Sequence, residues 1–101
     1  MPRGNDPLGP IASTVLFENE RVKIWNLVIE PGGSCPWHLH ERDYITVRLA
    51  GDPTTLELED GTTLPGSSEV GQWQYHTDHQ IHRILNRNDS EYKNILIELK
   101  D

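Results

Sequence analysis

A chain of 101 residues fits one domain and buries only about two-thirds of the surface that its unfolded form exposes. Hydrophobic residues make up 35% of it, a low share for a globular protein, so part of its core is expected to be shared with a second copy. The net charge of −7 argues against nucleic acid or an acidic membrane surface as partner, because both select a basic patch.

The first stretch, MPRGNDPLGPIAST, is rich in Pro and Gly and reads as an extended arm. It lacks the apolar centre of a signal peptide, and no apolar run approaches the length of a bilayer span, so a cytoplasmic location is expected. Residues 1–19 are assigned to an arm and first strand, and residues 20–101 to a barrel. Turn-like segments then recur: EPGGS (30–34), AGDP (50–53), EDGT (59–62), LPGSS (64–68) and NRNDS (86–90). Between them RVKIWNLVIE (21–30), DYITVRLA (43–50), TTLELE (54–59), HRILN (82–86) and KNILIELK (93–100) have the β-branched and aromatic character of strands. Asp60-Gly61 marks a hairpin, because Gly accepts the positive φ that such a turn needs. No stretch sustains helical periodicity, so the chain is predicted to be all-β, a sandwich or barrel.

Strand parity sorts the side chains by face. In DYITVRLA, Ile45, Val47 and Leu49 share one face. Tyr44, Thr46 and Arg48 share the other, which suits the lining of a polar pocket. In NILIELK, Ile95, Ile97 and Leu99 lie opposite Leu96 and Glu98. His38 and His40 have strand spacing and point the same way. Neutral imidazole is a common ligand for borderline divalent metals, although a His pair on a solvated strand reads equally as surface. Cys35 and Trp37 have the opposite parity. Cys35, the sole cysteine, reads as a small buried residue and excludes an intrachain disulfide; Trp37 reads as packing on the outer face or at a subunit contact. Trp25, Trp73 and Tyr75 read as core or interface.

The flanking spacing adds to the histidines. Gly32 stands six residues before His38, Gly51 seven after Tyr44, Gly71 eleven before His82 and Asn86 four after it. Over residues 20 to 100 this resembles the two sequence motifs of the cupin superfamily, and LIELK (96–100) with NRNDSEY (86–92) resembles its short single-domain members. The resemblance implies a small antiparallel jelly-roll barrel with one divalent metal per chain (iron, zinc, nickel or manganese) held by His38, His40 and His82. The chain departs from the family pattern twice. Tyr44 stands where the first motif has its Glu, and Thr77 and His79 replace the Pro and Gly of the second. His76 and His79 then read as pocket-edge or solvated side chains, with His79 a further candidate ligand if the turn before His82 is rearranged. His76 shares parity with His82 if one strand runs through both.

Three neutral imidazoles leave a divalent charge uncompensated, whereas an added carboxylate would offset half of it. That favours anionic, chelating ligands and a more acidic bound water. Tyr44 is the candidate acid–base or ligand-orienting group, and Arg48 the candidate partner for a substrate carboxylate or, alternatively, for a surface salt bridge. The function expected is a metal-dependent enzyme of dioxygenase, isomerase or lyase type acting on a small anionic metabolite. A non-catalytic binding or sensing module and a structural barrel with an empty site are the other readings. A homodimer is expected in each case, with the N-terminal segment adding to the partner's sheet.

Overall fold

The computed structural model describes residues 7–66, 69–77 and 79–100. The expected arm over residues 1–6 and part of the LPGSS turn lie outside them. Among the described residues there are nine strands and no helix: β1 (Thr14–Glu18), β2 (Val22–Ile29), β3 (His38–Leu39), β4 (Tyr44–Ala50), β5 (Thr55–Leu58), β6 (Thr63–Pro65), β7 (Trp73–His76), β8 (Ile81–Leu85) and β9 (Tyr92–Leu99). No helix is therefore long and apolar enough to cross a membrane. The strands form two antiparallel sheets, a five-stranded one in the order β1-β2-β9-β4-β7 and a four-stranded one in the order β3-β8-β5-β6. The fold is the expected all-β jelly roll.

Two turns show why the punctuation falls where it does. Gly51 follows β4 with φ of 96°, and a Cβ there would stand 2.6 Å from the Glu91 carbonyl oxygen, so only glycine fits the approach to β9. Gly61, also at φ 96°, closes the predicted β5–β6 hairpin, in which Leu58 N–H donates to Thr62 O at 2.8 Å and Thr62 N–H donates to Asp60 Oδ1 at 2.9 Å. Asn86, fully buried, ties the end of β8 to two other segments. Its Nδ2 donates to the carbonyls of Ile29 (3.0 Å) and Ser90 (2.9 Å), while its Oδ1 accepts from Asn88 N–H at 3.2 Å.

The inner faces of the sheets enclose a core of Ala12, Leu27, Ile29, Cys35 and Tyr92, with Trp25 and Ile84 packed against it. Leu27 and Ile29 each contribute about 1.5–3 kcal/mol when taken fully out of water. The described part of the arm lies on the chain's own barrel. Gly9 N–H donates to Trp37 O at 2.7 Å, Ser13 N–H donates to Asn26 O at 2.8 Å, and Ala12 is buried. Trp37 is buried, with the Arg83 guanidinium 4.6 Å over its ring; Arg83 alternates in β8 with the inward-facing His82 and Ile84, so Trp37 packs on the outer side of the smaller sheet, as expected.

The outer face of the five-stranded sheet is largely apolar. One row runs Phe17, Ile24, Ile97, Ile45, Tyr75 from β1 to β7. The next runs Asn26, Ile95, Val47, Trp73. These are the parity faces expected from the sequence for β4 and β9.

One strand was not foreseen. In β7 the large side chains Trp73 and Tyr75 point outward while Gln74 and His76 face the interior, which reverses the usual strand signature. His76 and His82 therefore stand on different strands in different sheets, and the parity relation between them does not hold.

Candidate metal centre and adjoining cavity

The shortest strand carries the first histidine. His38 in β3 stands directly opposite His82 in β8. Opposed residues of an antiparallel pair project from the same face of the sheet, within about 4.5–5.5 Å at Cβ. His40, two residues after His38, joins them. The ring centroids lie 4.8 Å apart for His38–His40, 4.6 Å for His38–His82 and 5.1 Å for His40–His82. All three residues are buried, and one nitrogen from each falls within 4.8 Å of the others, close enough for side-chain rotation to bring them onto one ion.

The protonation of these rings suits a cation. His38 Nδ1 lies 2.8 Å from the Pro36 carbonyl oxygen, and donation to it leaves Nε2 as the lone-pair nitrogen. Nδ1 of His40 is buried with no hydrogen-bond partner, a cost that a bound ion or its solvent would relieve. Burial lowers the pKa of all three. His40 falls to about 2, through burial first and then the neighbouring His38 and His82, and His82 falls to about 3, through burial and then His38. Neutral, lone-pair-bearing imidazoles are the form that binds metal. A group of three neutral, converging nitrogens therefore fits a divalent cation such as iron, zinc, nickel or manganese, and nothing in it selects among them.

Tyr44, in the position of the absent carboxylate, is buried and lies flat against a candidate ligand. Its ring stacks on His40 with centroids 3.8 Å apart and on His76 with centroids 4.5 Å apart. The stack restrains the His40 ring plane. His76 is held in turn by Thr46, whose Oγ1 lies 2.9 Å from His76 Nε2.

The histidines open on a cavity of about 150 Å³. Leu27, Leu56, Ile84 and Leu96 make its apolar walls, and Thr46, Gln74 and His76 supply polar groups along one side. No Asp, Glu, Lys or Arg lines it among the described residues. Tyr44 and Thr46 line it, as parity predicted. Arg48 shares their face and is buried, but it is not among the lining residues and stands beside β9, opposite Asn94. His79 is exposed and pairs with Asp43 at 3.1 Å, away from the three-histidine group. Cys35 lies 3.9 Å from His38 Nδ1, outside the ligand group. Burial raises its thiol pKa to about 11, which leaves no thiolate to act as ligand or nucleophile. Asn94 and Tyr92 also line the cavity and were not singled out in the sequence, although the parity that turns Leu96 inward turns Asn94 inward as well.

No family model and no curated protein matches the chain. Solved structures do. The chain is similar to a cupin domain from Bordetella pertussis, at 28% identity and a TM-score of 0.76, covering 92% of this chain and all of that one. It is similar in fold to an RmlC-like cupin with a double-stranded β-helix from Methanocaldococcus jannaschii, at 21% identity and a TM-score of 0.71, over 86% of this chain and 77% of that one. It also shares its fold with the polyketide cyclase RemF from Streptomyces resistomycificus, at 19% identity and a TM-score of 0.63, over 82% of this chain and 57% of that one.

Proposed function

We propose that this small cupin domain holds one divalent cation through His38, His40 and His82 and acts as a metal-dependent enzyme on a small anionic molecule that chelates from the adjoining cavity. The observation that carries the reading is the donor set, three buried neutral imidazoles facing a cavity that no charged side chain lines among the described residues. A cation so held keeps its full charge, which is then the main electrostatic attraction the cavity offers an anion. When bound, it would polarise a ligand oxygen and acidify a bound water.

The chain's own groups do the rest. The apolar walls exclude water and strengthen every charge interaction inside. The Tyr44 ring fixes His40, and the Thr46–His76 pair places an imidazole nitrogen and a hydroxyl where a proton can be held beside the ligand. Arg48 is not among the residues that line the cavity, so the reading assigns the anionic end of the molecule to the metal. Oxygen-dependent cleavage is the chemistry to expect of iron, and isomerisation or elimination that of zinc, nickel or manganese.

Metal content after purification without a His tag tests the first step. About one equivalent per chain is expected, lost on His38→Ala or His82→Ala. No metal under any loading condition, with the fold intact, overturns the reading and leaves a structural barrel. Turnover is tested separately, by oxygen uptake of the iron form and product formation by the zinc form with small keto acids, diketones and thiols. Tight binding of these compounds without turnover identifies a binding module instead.

A further inference from the structure

Asn94 is 98% buried (2% exposed), lines the cavity, and has an amide oxygen without a hydrogen-bond partner. Its Nδ2 donates to the Tyr92 hydroxyl oxygen at 3.0 Å, so the Tyr92 hydroxyl hydrogen is left to donate elsewhere. Exchanging the two amide atoms of Asn94 alters which of them lacks a partner and leaves one lacking in either case. An orphaned amide atom at this depth costs about 1–3 kcal/mol and persists where a ligand or a water completes it. The place of this pair in the cavity follows from the ladder. Asn94 faces Arg48, four residues along β4 from Tyr44, which stacks on His40. That is about 13 Å of strand. The cavity thus has polar groups at two ends, with Leu27, Leu56, Ile84 and Leu96 between them.

We propose that Asn94 and Tyr92 form a second polar subsite, which takes a neutral hydroxyl or amide at the far end of the molecule whose other end chelates the metal. A hydroxyl donates to Asn94 Oδ1 and accepts from the Tyr92 hydroxyl at once. A cavity of about 150 Å³ takes one six-membered ring between the two ends. With the walls apolar and Asn94 and Tyr92 standing between Arg48 and the cavity as neutral lining groups, the class of ligand is a single-ring or similarly small, mostly apolar molecule with one anionic chelating end and one neutral hydrogen-bonding end. Burial pushes the Tyr92 phenol up, against the opposing hydrogen bond from Asn94 and the charge of Arg48, so it stays a protonated donor at neutral pH.

The subsite rests on the proposed function for its chelating end, and the two are tested apart. In chelator-stripped protein, binding of phenol and of toluene is compared by NMR titration. A purely apolar cavity prefers toluene. The subsite requires phenol to bind more tightly, by roughly 10-fold, the worth of one well-made buried hydrogen-bond set. Asn94→Leu should invert the preference, and Tyr92→Phe should narrow it, each with an unchanged circular dichroism spectrum. Equal binding, tighter toluene or no binding of either overturns the subsite. Benzohydroxamate added to the zinc form tests the other end alone. If it fails to bind while the phenol preference stands, the metal reading falls and the subsite survives.

A different observation carries a second inference. Of the positions that β2, β4, β7 and β9 direct to the outer face of the larger sheet, only Lys93 is charged, in a chain with 25% charged residues. Trp73 is 67% exposed on it, Tyr75 51% and Leu49 49%. Five strands about 4.8 Å apart, some seven residues long, give a face of roughly 500–550 Å². Two such faces bury about 1,000–1,100 Å², at the threshold of a specific interface. We infer that a second copy of the chain packs on this face, sheet against sheet, with the Val47 and Ile97 rows at its centre. Light scattering at micromolar concentration should give twice the 11.6 kDa of one chain, and Val47→Lys and Trp73→Ala should each shift the equilibrium to monomer. A wild-type monomer overturns the inference. So does a dimer that survives both substitutions and is lost on removal of residues 1–18, which would place the contact at the β1 edge.

Discussion

Tyr44 decides what kind of site this is. A carboxylate at its position would take up half of a divalent charge; a phenol stacked between His40 and His76 takes up none while it is protonated. Tyr44→Phe is expected to keep both stacks, leave metal affinity within about 2-fold, and lower turnover by 10-fold or more if the hydroxyl handles a proton. Metal titration and steady-state rates check this, and a large loss of metal would show coordination by the phenol. Tyr44→Glu should bind metal more tightly and anionic chelators more weakly, the two effects having one electrostatic cause. His38 and His40 were legible in the sequence from their i, i+2 spacing and His82 from the motif resemblance; that His82 stands directly across from His38 is visible only in the folded chain. Asn94 was not legible, because its interest lies in what its amide lacks, and an unmet hydrogen bond has no signature in a string of letters.

At the scale of elements, the turns carried more information than the strands. Gly32, Gly51, Gly61 and Gly71 all adopt positive φ, and three of them are the glycines of the motif spacing. Gly51→Ala combines that backbone penalty with a contact of 2.6 Å to the Glu91 oxygen. A loss of about 2–4 kcal/mol is expected in urea denaturation, with metal binding by the folded fraction preserved. Strands with apolar inner faces were found to within a residue or two. β7 escaped because its apolar residues face outward and its inward pair is Gln74 and His76, so the feature that hid it is also what brings His76 to the cavity. The arm was legible as extended chain, but not as a cover for its own barrel, since the contact of Gly9 with Trp37 joins residues far apart in sequence.

For the molecule as a whole, the buried histidines set a limit on acid stability. Their folded pKa values lie below the 6.5 of the unfolded chain, at about 2 for His40 and about 3 for His82. Below pH 6.5 the unfolded state therefore binds protons that the folded state refuses, and stability falls as pH falls. Above pH 6.5 the effect vanishes. At pH 5 each of the two contributes a loss of up to about 2 kcal/mol in metal-free protein. Denaturation midpoints at pH 7.5 and pH 5 check the sign, which would be reversed for histidines held by carboxylates. The two-residue strand β3 has a further consequence. His40 and His82 stand 42 positions apart, at the ends of a span that contains β4 to β7. An ion gripped at both ends would close that span much as a covalent crosslink does, removing chain entropy from the unfolded state. Resistance to protease across β5 and β6 should then track the free metal concentration, although neither strand supplies a ligand.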